Sequence, residues 1–201
     1  PMPGHATHHP PPATRPIVRA LLAWFAANAR DLPWRRTRDP YAIWVSEIML
    51  QQTQVATVIP YWQRWMRALP TLASLAKAPP ARLRKLWEGL GYYTRVQHLQ
   101  QAAKQIVRQY DGKFPRDYQA LLALPGIGRY TAGALASIAF NQPKPILDGN
   151  VLRVLTRVYG IRANPRQARV NARLWQLAEE LVVAAAAMNF PRARSGARQA
   201  S

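Results

Sequence analysis

Only nine carboxylates stand among the 201 residues of this chain, so acid–base chemistry can be sought by elimination. Asp39 precedes Pro40 and reads as a helix cap, Asp111 beside Gly112 as a turn residue, and Asp117 as a second cap. Asp31 lies in a polar loop, Glu88 closes a short helix before Gly89, and Glu179 and Glu180 fall on the wet side of an amphipathic helix. Two carboxylates remain. Glu47 stands one helical step beyond Ile43 and Trp44, on the stripe expected to face the interior. A carboxylate there is costly unless neutral or paired, and burial raises its pKa in the direction a general acid needs. If the stripe is rotated, Glu47 is simply exposed. Asp148 follows Ile146-Leu147 and precedes a helix, so it is either an ordinary N-cap or an anion held by backbone N–H groups and the helix dipole. A protonated acid with an ionised partner suits glycosidic cleavage. One protonates the leaving group, and the other faces an oxocarbenium-like centre.

Three further patterns stand near these acids in the sequence. In Leu124-Pro125-Gly126-Ile127-Gly128-Arg129-Tyr130, Gly126 and Gly128 permit a tight reversal and leave backbone N–H groups uncovered at the start of a helix. That arrangement is either a phosphate seat or a plain helix–turn–helix corner. Gln51-Gln52-Thr53-Gln54 offers uncharged donors and acceptors suited to base edges, or else is a polar loop. Leu90 and Tyr92, between glycines, are either wedges for a base stack or core residues.

The elements that must position these groups are helical throughout. From Pro16, apolar residues recur at helical spacing through Phe25, and a polar loop at 28–38 carries Pro33-Trp34-Arg35-Arg36. Asp39-Pro40 opens the helix of Glu47. Thr53 is expected to cap the next, which tolerates Pro60 near its start. Short helices follow at 72–76 and 81–87, a longer one at 96–110, then the two arms of the glycine hairpin at 124–133. After the extended Gln142-Pro143-Lys144-Pro145, further helices hold Val151–Val158 and Leu174–Leu181. No alternating strand pattern occurs, so an all-α globular array is expected.

Composition agrees with an anionic partner. Lys and Arg number 28 against 9 Asp and Glu, a formal charge of +19. Nucleic acid is the leading partner, an anionic membrane the second, and an Arg-rich genome the bland alternative. The absence of cysteine excludes disulfides and thiolate metal sites within the chain and fits a reducing cytosol. No apolar run is long enough to span a membrane and no signal segment is apparent. Residues 1–13, rich in Pro and His, read as a disordered tail rather than a metal site.

Trp44-Val45-Ser46-Glu47-Ile48-Met49-Leu50-Gln51-Gln52-Thr53-Gln54-Val55, Gly89-Leu90-Gly91-Tyr92-Tyr93, the hairpin motif and Ile146-Leu147-Asp148-Gly149-Asn150-Val151 occur in one particular order. In these the chain resembles MutY-type adenine DNA glycosylases of the endonuclease III-like, helix-hairpin-helix superfamily. The resemblance covers about residues 17–181 and implies an all-α helix-hairpin-helix glycosylase fold. A six-helix lobe is expected at 32–140, and a second, incomplete lobe from 14–31 and 141–188. It implies removal of adenine mispaired with 8-oxoguanine or guanine, the base being flipped into a pocket. Glu47 would protonate adenine at N7 and then assist water, Asp148 would stabilise the sugar cation, and Tyr130 and Asn150 would support them. Trp34 and Arg35 match the adenine pocket. Gln52, Thr53, Leu90 and Tyr92 match the part that probes the 8-oxoguanine strand, while Gly126, Gly128 and Arg129 hold phosphate. A monomer on double-stranded DNA, in the cytoplasm with the nucleoid, is expected.

Position 130 separates subfamilies. Bifunctional relatives carry a Lys there that forms a Schiff base, and Tyr130 cannot, so the implied chemistry is monofunctional hydrolysis. The resemblance further implies a [4Fe–4S] cluster whose cysteine ligands this chain lacks, a monovalent cation held by hairpin carbonyls, and a C-terminal 8-oxoguanine-recognition domain that is missing. The pattern fails beyond Met188, where 189–201 departs from the family, as expected of a truncated or frameshifted product. Two rivals stand beside this reading: a non-catalytic DNA-binding remnant, and a glycosylase for mismatched thymine or uracil.

Overall fold

The structure, a computed structural model, describes residues 14–188. The expectations for 1–13 and 189–201, a disordered tail and a segment foreign to the family, lie outside the described residues. Among the described residues all regular structure is helical. The order is α1 (Thr14–Asn28), a 3₁₀ turn (Pro33–Arg35), α2 (Pro40–Met49), α3 (Val55–Ala68), α4 (Leu72–Lys77) and α5 (Pro80–Trp87). Then come α6 (Thr94–Gln109), α7 (Tyr118–Leu122), α8 (Arg129–Ile138), α9 (Gly149–Val158) and α10 (Ala168–Ala187). Two compact units divide them: one spans Asp31–Gln142, the other joins 14–30 to 143–188.

In the unit Asp31–Gln142 the axis is α2. Asp39 caps it by accepting the Tyr41 N–H at 3.1 Å, and Pro40 occupies the first turn, where a missing N–H costs nothing. Eight of its ten residues are buried, because α3, α8 and the 3₁₀ turn close around it. A helix so apolar on all sides belongs inside a core. Tyr41 Oη donates to the Leu69 carbonyl at 2.8 Å and accepts from Trp65 Nε1 at 3.0 Å, which ties the start of α2 to the end of α3. Burial drives the Tyr41 pKa upward, so this phenol stays a donor. Trp62 Nε1 donates to the Ala42 carbonyl at 2.9 Å, and Trp44 meets Phe114 edge-on at 5.3 Å. Each such buried side chain contributes about 1.5–3 kcal/mol.

One local expectation needs correcting. Thr53 does not cap α3; the N-cap is Gln54, without a side-chain cap bond, and Thr53 Oγ1 donates instead to the Gln51 carbonyl at 3.4 Å. The turn folds back on itself before the helix begins, so the hydroxyl is used up locally. Pro60 sits inside α3 and the helix continues through it.

In the other unit α10 packs on α1 and α9 around Leu155, Leu174, Leu177 and Ala178, with Leu147, Val151 and Leu181 at the margin. Here too one expectation fails. Glu180 is not on a wet face: its side chain is 12% exposed and meets Arg173 Nη1 at 3.4 Å. Helical spacing places position 180 three residues after Leu177, on the edge of the buried stripe.

Candidate active site

Glu47 is half-buried, and it is the one residue between Tyr41 and Met49 that is not buried. Glu47 is therefore left partly accessible within a run of residues that is otherwise enclosed. This lies between the two sequence expectations, since the acid is neither sealed in the core nor on a free face. Asp148 is the N-cap of α9, and the cap is unusually complete. Its Oδ1 accepts from the Asn150 and Val151 N–H groups at 3.0 and 2.8 Å, and its Oδ2 from Asn150 Nδ2 at 3.3 Å. Three N–H donors thus fix the carboxylate, and Asn150 supplies two of them.

At the hairpin, Gly126 carries φ +72°, and a Cβ there would stand 2.6 Å from His98 Cβ. Glycine is required at this position. Gly128 differs from expectation. Its φ of −87° suits any residue and a Cβ would meet nothing within 4 Å, so the reversal rests on Gly126 alone. Gly128 is the N-cap of α8 and, having no side chain, makes no side-chain cap bond there. Arg129 is exposed at this end, and Tyr130 half-buried beside it.

The two turns singled out as DNA readers share a backbone peculiarity. Gln52 has φ +57° and Tyr92 φ +47°, both left-handed without being glycine. Tyr92 is 65% exposed, whereas Leu90 is 6% exposed and belongs to the core, so Tyr92 alone projects. Leu90 as a wedge is corrected to that extent: its N–H bonds the Trp87 carbonyl at 3.0 Å and its side chain is packed inward. Trp34 is also buried, edge-on to Trp62 at 6.0 Å, with Arg35 exposed beside it. Gln52 is exposed and Thr53 half-buried.

Arg95 was not among the sequence candidates. Its guanidinium bonds carbonyls of both reading turns, and with Trp44, Gln51, His98, Pro125 and Gly126 it lines a cavity of about 40 Å³. The Gln turn, the Gly89–Tyr92 turn and the hairpin are therefore neighbours in this unit. The available signal was register: Arg95 precedes Leu99 and Ala102 by four and seven residues, on the stripe that α6 buries.

Residues 45–180 match the HhH-GPD superfamily of base excision DNA repair proteins. The chain belongs to that superfamily. Among HhH-GPD relatives, the adenine DNA glycosylase of Rattus norvegicus is 50% identical over 184 residues, covering 87% of this chain and 36% of its own length. That of Homo sapiens is 50% identical over 183 residues, covering 87% and 34%. That of Buchnera aphidicola subsp. Baizongia pistaciae is 42% identical over 166 residues, covering 82% and 47%. The chain thus spans about a third to a half of these relatives. A solved thermostable thymine-DNA glycosylase superposes with TM-score 0.76 at 29% identity, covering 93% of this chain and 90% of that one. A non-covalent endonuclease III–DNA complex superposes with TM-score 0.71 at 24% identity, covering 88% and 82%, a likeness of fold.

An iron–sulfur cluster of the endonuclease III type does not fit these residues. It is held by thiolates, the chain has no cysteine, and no group of His, Asp or Glu able to hold a metal occurs among the described residues. At the hairpin the Leu124 carbonyl accepts the Ile127 N–H at 3.1 Å.

Proposed function

We propose that the chain is a monofunctional adenine DNA glycosylase of base excision repair, acting on adenine opposite 8-oxoguanine or guanine. The observation that carries the chemistry is Glu47, a half-buried acid in the otherwise buried run 41–49 of α2. The choice of base follows the adenine DNA glycosylases that are 50% identical to this chain over the aligned 183–184 residues. Glu47 gives its proton to N7 of the extruded adenine. The C1′–N9 bond then breaks, its electron pair leaving with the base, and an oxocarbenium-like sugar remains. Asp148, oriented by Asn150 and the α9 N–H groups, faces that cation. Glu47, now a carboxylate, takes a proton from the water that attacks C1′. Free adenine and an abasic site result. Tyr130 supports the acid and cannot form the Schiff base of a lyase.

In the same proposal Trp34 and Arg35 wall the base pocket. Gln52, Thr53 and Tyr92 read the opposite strand, with Leu90 as the core residue beneath Tyr92. The α8 N-terminus with Gly128 and Arg129 seats a phosphate, and a monovalent cation sits on the hairpin carbonyls. The hairpin lobe carries Glu47 and the reading turns, and the second lobe carries Asp148. The partner is double-stranded DNA, met as a monomer in the cytoplasm beside the nucleoid. No helix of the described residues is long and apolar enough to cross a membrane.

The test is single-turnover excision on a duplex with adenine opposite 8-oxoguanine, followed by alkali. Glu47→Gln should lower the rate by about 10²–10⁴-fold or more while DNA binding persists. Excision that survives this substitution contradicts the assignment of the acid.

A further inference from the structure

Arg95 stands in the first turn of α6, half-buried, and its guanidinium donates to five main-chain carbonyls, from the end of α2 with the turn after it and from the Gly89–Tyr92 turn. Nη1 reaches Ile48 at 2.9 Å, Met49 at 3.3 Å and Gln51 at 2.7 Å. Nη2 reaches Leu90 at 2.8 Å and Gly91 at 3.2 Å. The first set includes orphan carbonyls at the end of α2, a helix with no basic residue of its own in its last turn. The second set lies in the turn that Trp87 Nε1 also grips, at the Gly91 carbonyl, 3.0 Å.

What these carbonyls precede is decisive. Gln51 comes directly before Gln52, and Gly91 directly before Tyr92, the two non-glycine residues of the reading turns with left-handed φ. Such residues persist only where their surroundings hold them. The peptide plane that sets each φ is the plane whose oxygen Arg95 holds. The planar guanidinium serves the five carbonyls with the four N–H groups of Nη1 and Nη2, its Nε–H finding no partner among the described residues, and a lysine ammonium has three donors but not this fixed fork. The guanidinium also lies 5.6 Å from the Tyr92 ring and 5.3 Å from that of Trp87, so it touches the exposed reader itself.

We infer that Arg95 is a positioning residue that locks the 51–54 turn to the 89–92 turn, presenting Gln52 and Tyr92 to DNA as one rigid reader. It sets discrimination between base pairs more than the speed of bond cleavage. Arg95 also holds the Ile48 and Met49 carbonyls at the end of α2, while the body of that helix, with Glu47, is packed through eight buried residues. The discrimination half rests on the adenine-glycosylase reading above; the lock does not.

The experiment uses the full chain and Arg95→Lys, which keeps charge and stem but not the fork. Hydrogen exchange of the free protein reads the lock, at the hydrogen-bonded Thr53 and Leu90 amides in peptides spanning 50–55 and 88–94. Both should exchange about tenfold faster or more, together, while the body of α2 is unchanged. Unchanged protection in either turn overturns the lock. So does loss of cooperative unfolding, which would make Arg95 a plain core residue. Binding to duplexes with adenine opposite 8-oxoguanine and opposite thymine reads discrimination. The ratio of the two Kd values should shrink about tenfold or more, with a smaller fall in the excision rate at saturation. An unchanged ratio, or a loss confined to the saturating rate, overturns the role in discrimination. If the unsubstituted chain itself fails to discriminate, the adenine-glycosylase reading fails, and the exchange result still decides the lock.

Discussion

Asp148 caps α9, and a pair of substitutions separates that cap from the role proposed for it at the sugar. As a cap it needs only an oxygen acceptor, and Asn is as good a cap as Asp. As the group facing a sugar cation it needs its charge. Asp148→Asn should therefore leave the unfolding midpoint nearly unchanged while lowering excision strongly, and Asp148→Ala should in addition lose about 1 kcal/mol of stability. Equal excision by Asp148→Asn and the unsubstituted chain would reduce the residue to a cap. At this scale the sequence was legible where residues were scarce. With nine carboxylates, seven could be explained away, and Glu47 and Asp148 remained. Arg95 was hidden for the opposite reason: it is one of 28 basic residues, and its role lies in carbonyls up to 47 positions away. Glu180 misled because helical phase near a stripe edge cannot tell a wet position from a paired one.

Helices were legible through their period and punctuation. Asp39-Pro40, Asp117 and Asp148 stop the chain where caps were expected, and each accepts a backbone N–H. The turn before α3 was less so, since Gln52 is left-handed there, Thr53 bonds back to the Gln51 carbonyl, and that carbonyl also accepts from the distant Arg95. The hairpin gives a sharp prediction because its two glycines differ. Gly126→Ala forces a side chain into left-handed backbone, at about 1–2 kcal/mol, and also drives a carbon onto His98. It should lower both the unfolding midpoint and affinity for duplex DNA. Gly128→Ala meets open space, so thermal unfolding should change little. Equal effects on unfolding would show that the reversal does not rest on Gly126.

For the molecule as a whole the dominant property is charge. A formal +19 on 201 residues favours any polyanion, and such binding releases counterions as it forms. Affinity for duplex DNA, matched or mismatched, should fall about tenfold or more between roughly 50 and 200 mM salt. A flat response in a binding titration would remove the basic surface from the account. Charge cannot supply the choice of base, which the proposal gives to the 51–54 and 89–92 turns and to Glu47.

The most direct measurement is to identify the products. The chain is incubated in excess over a duplex with one adenine opposite 8-oxoguanine, and the mixture is resolved without and with alkali. The account predicts free adenine, an abasic strand that stays intact until alkali is added, and release slowed by about 10²–10⁴-fold or more when Glu47 is replaced by Gln. Bound but unreacted duplex, or strand breakage before alkali, would contradict it.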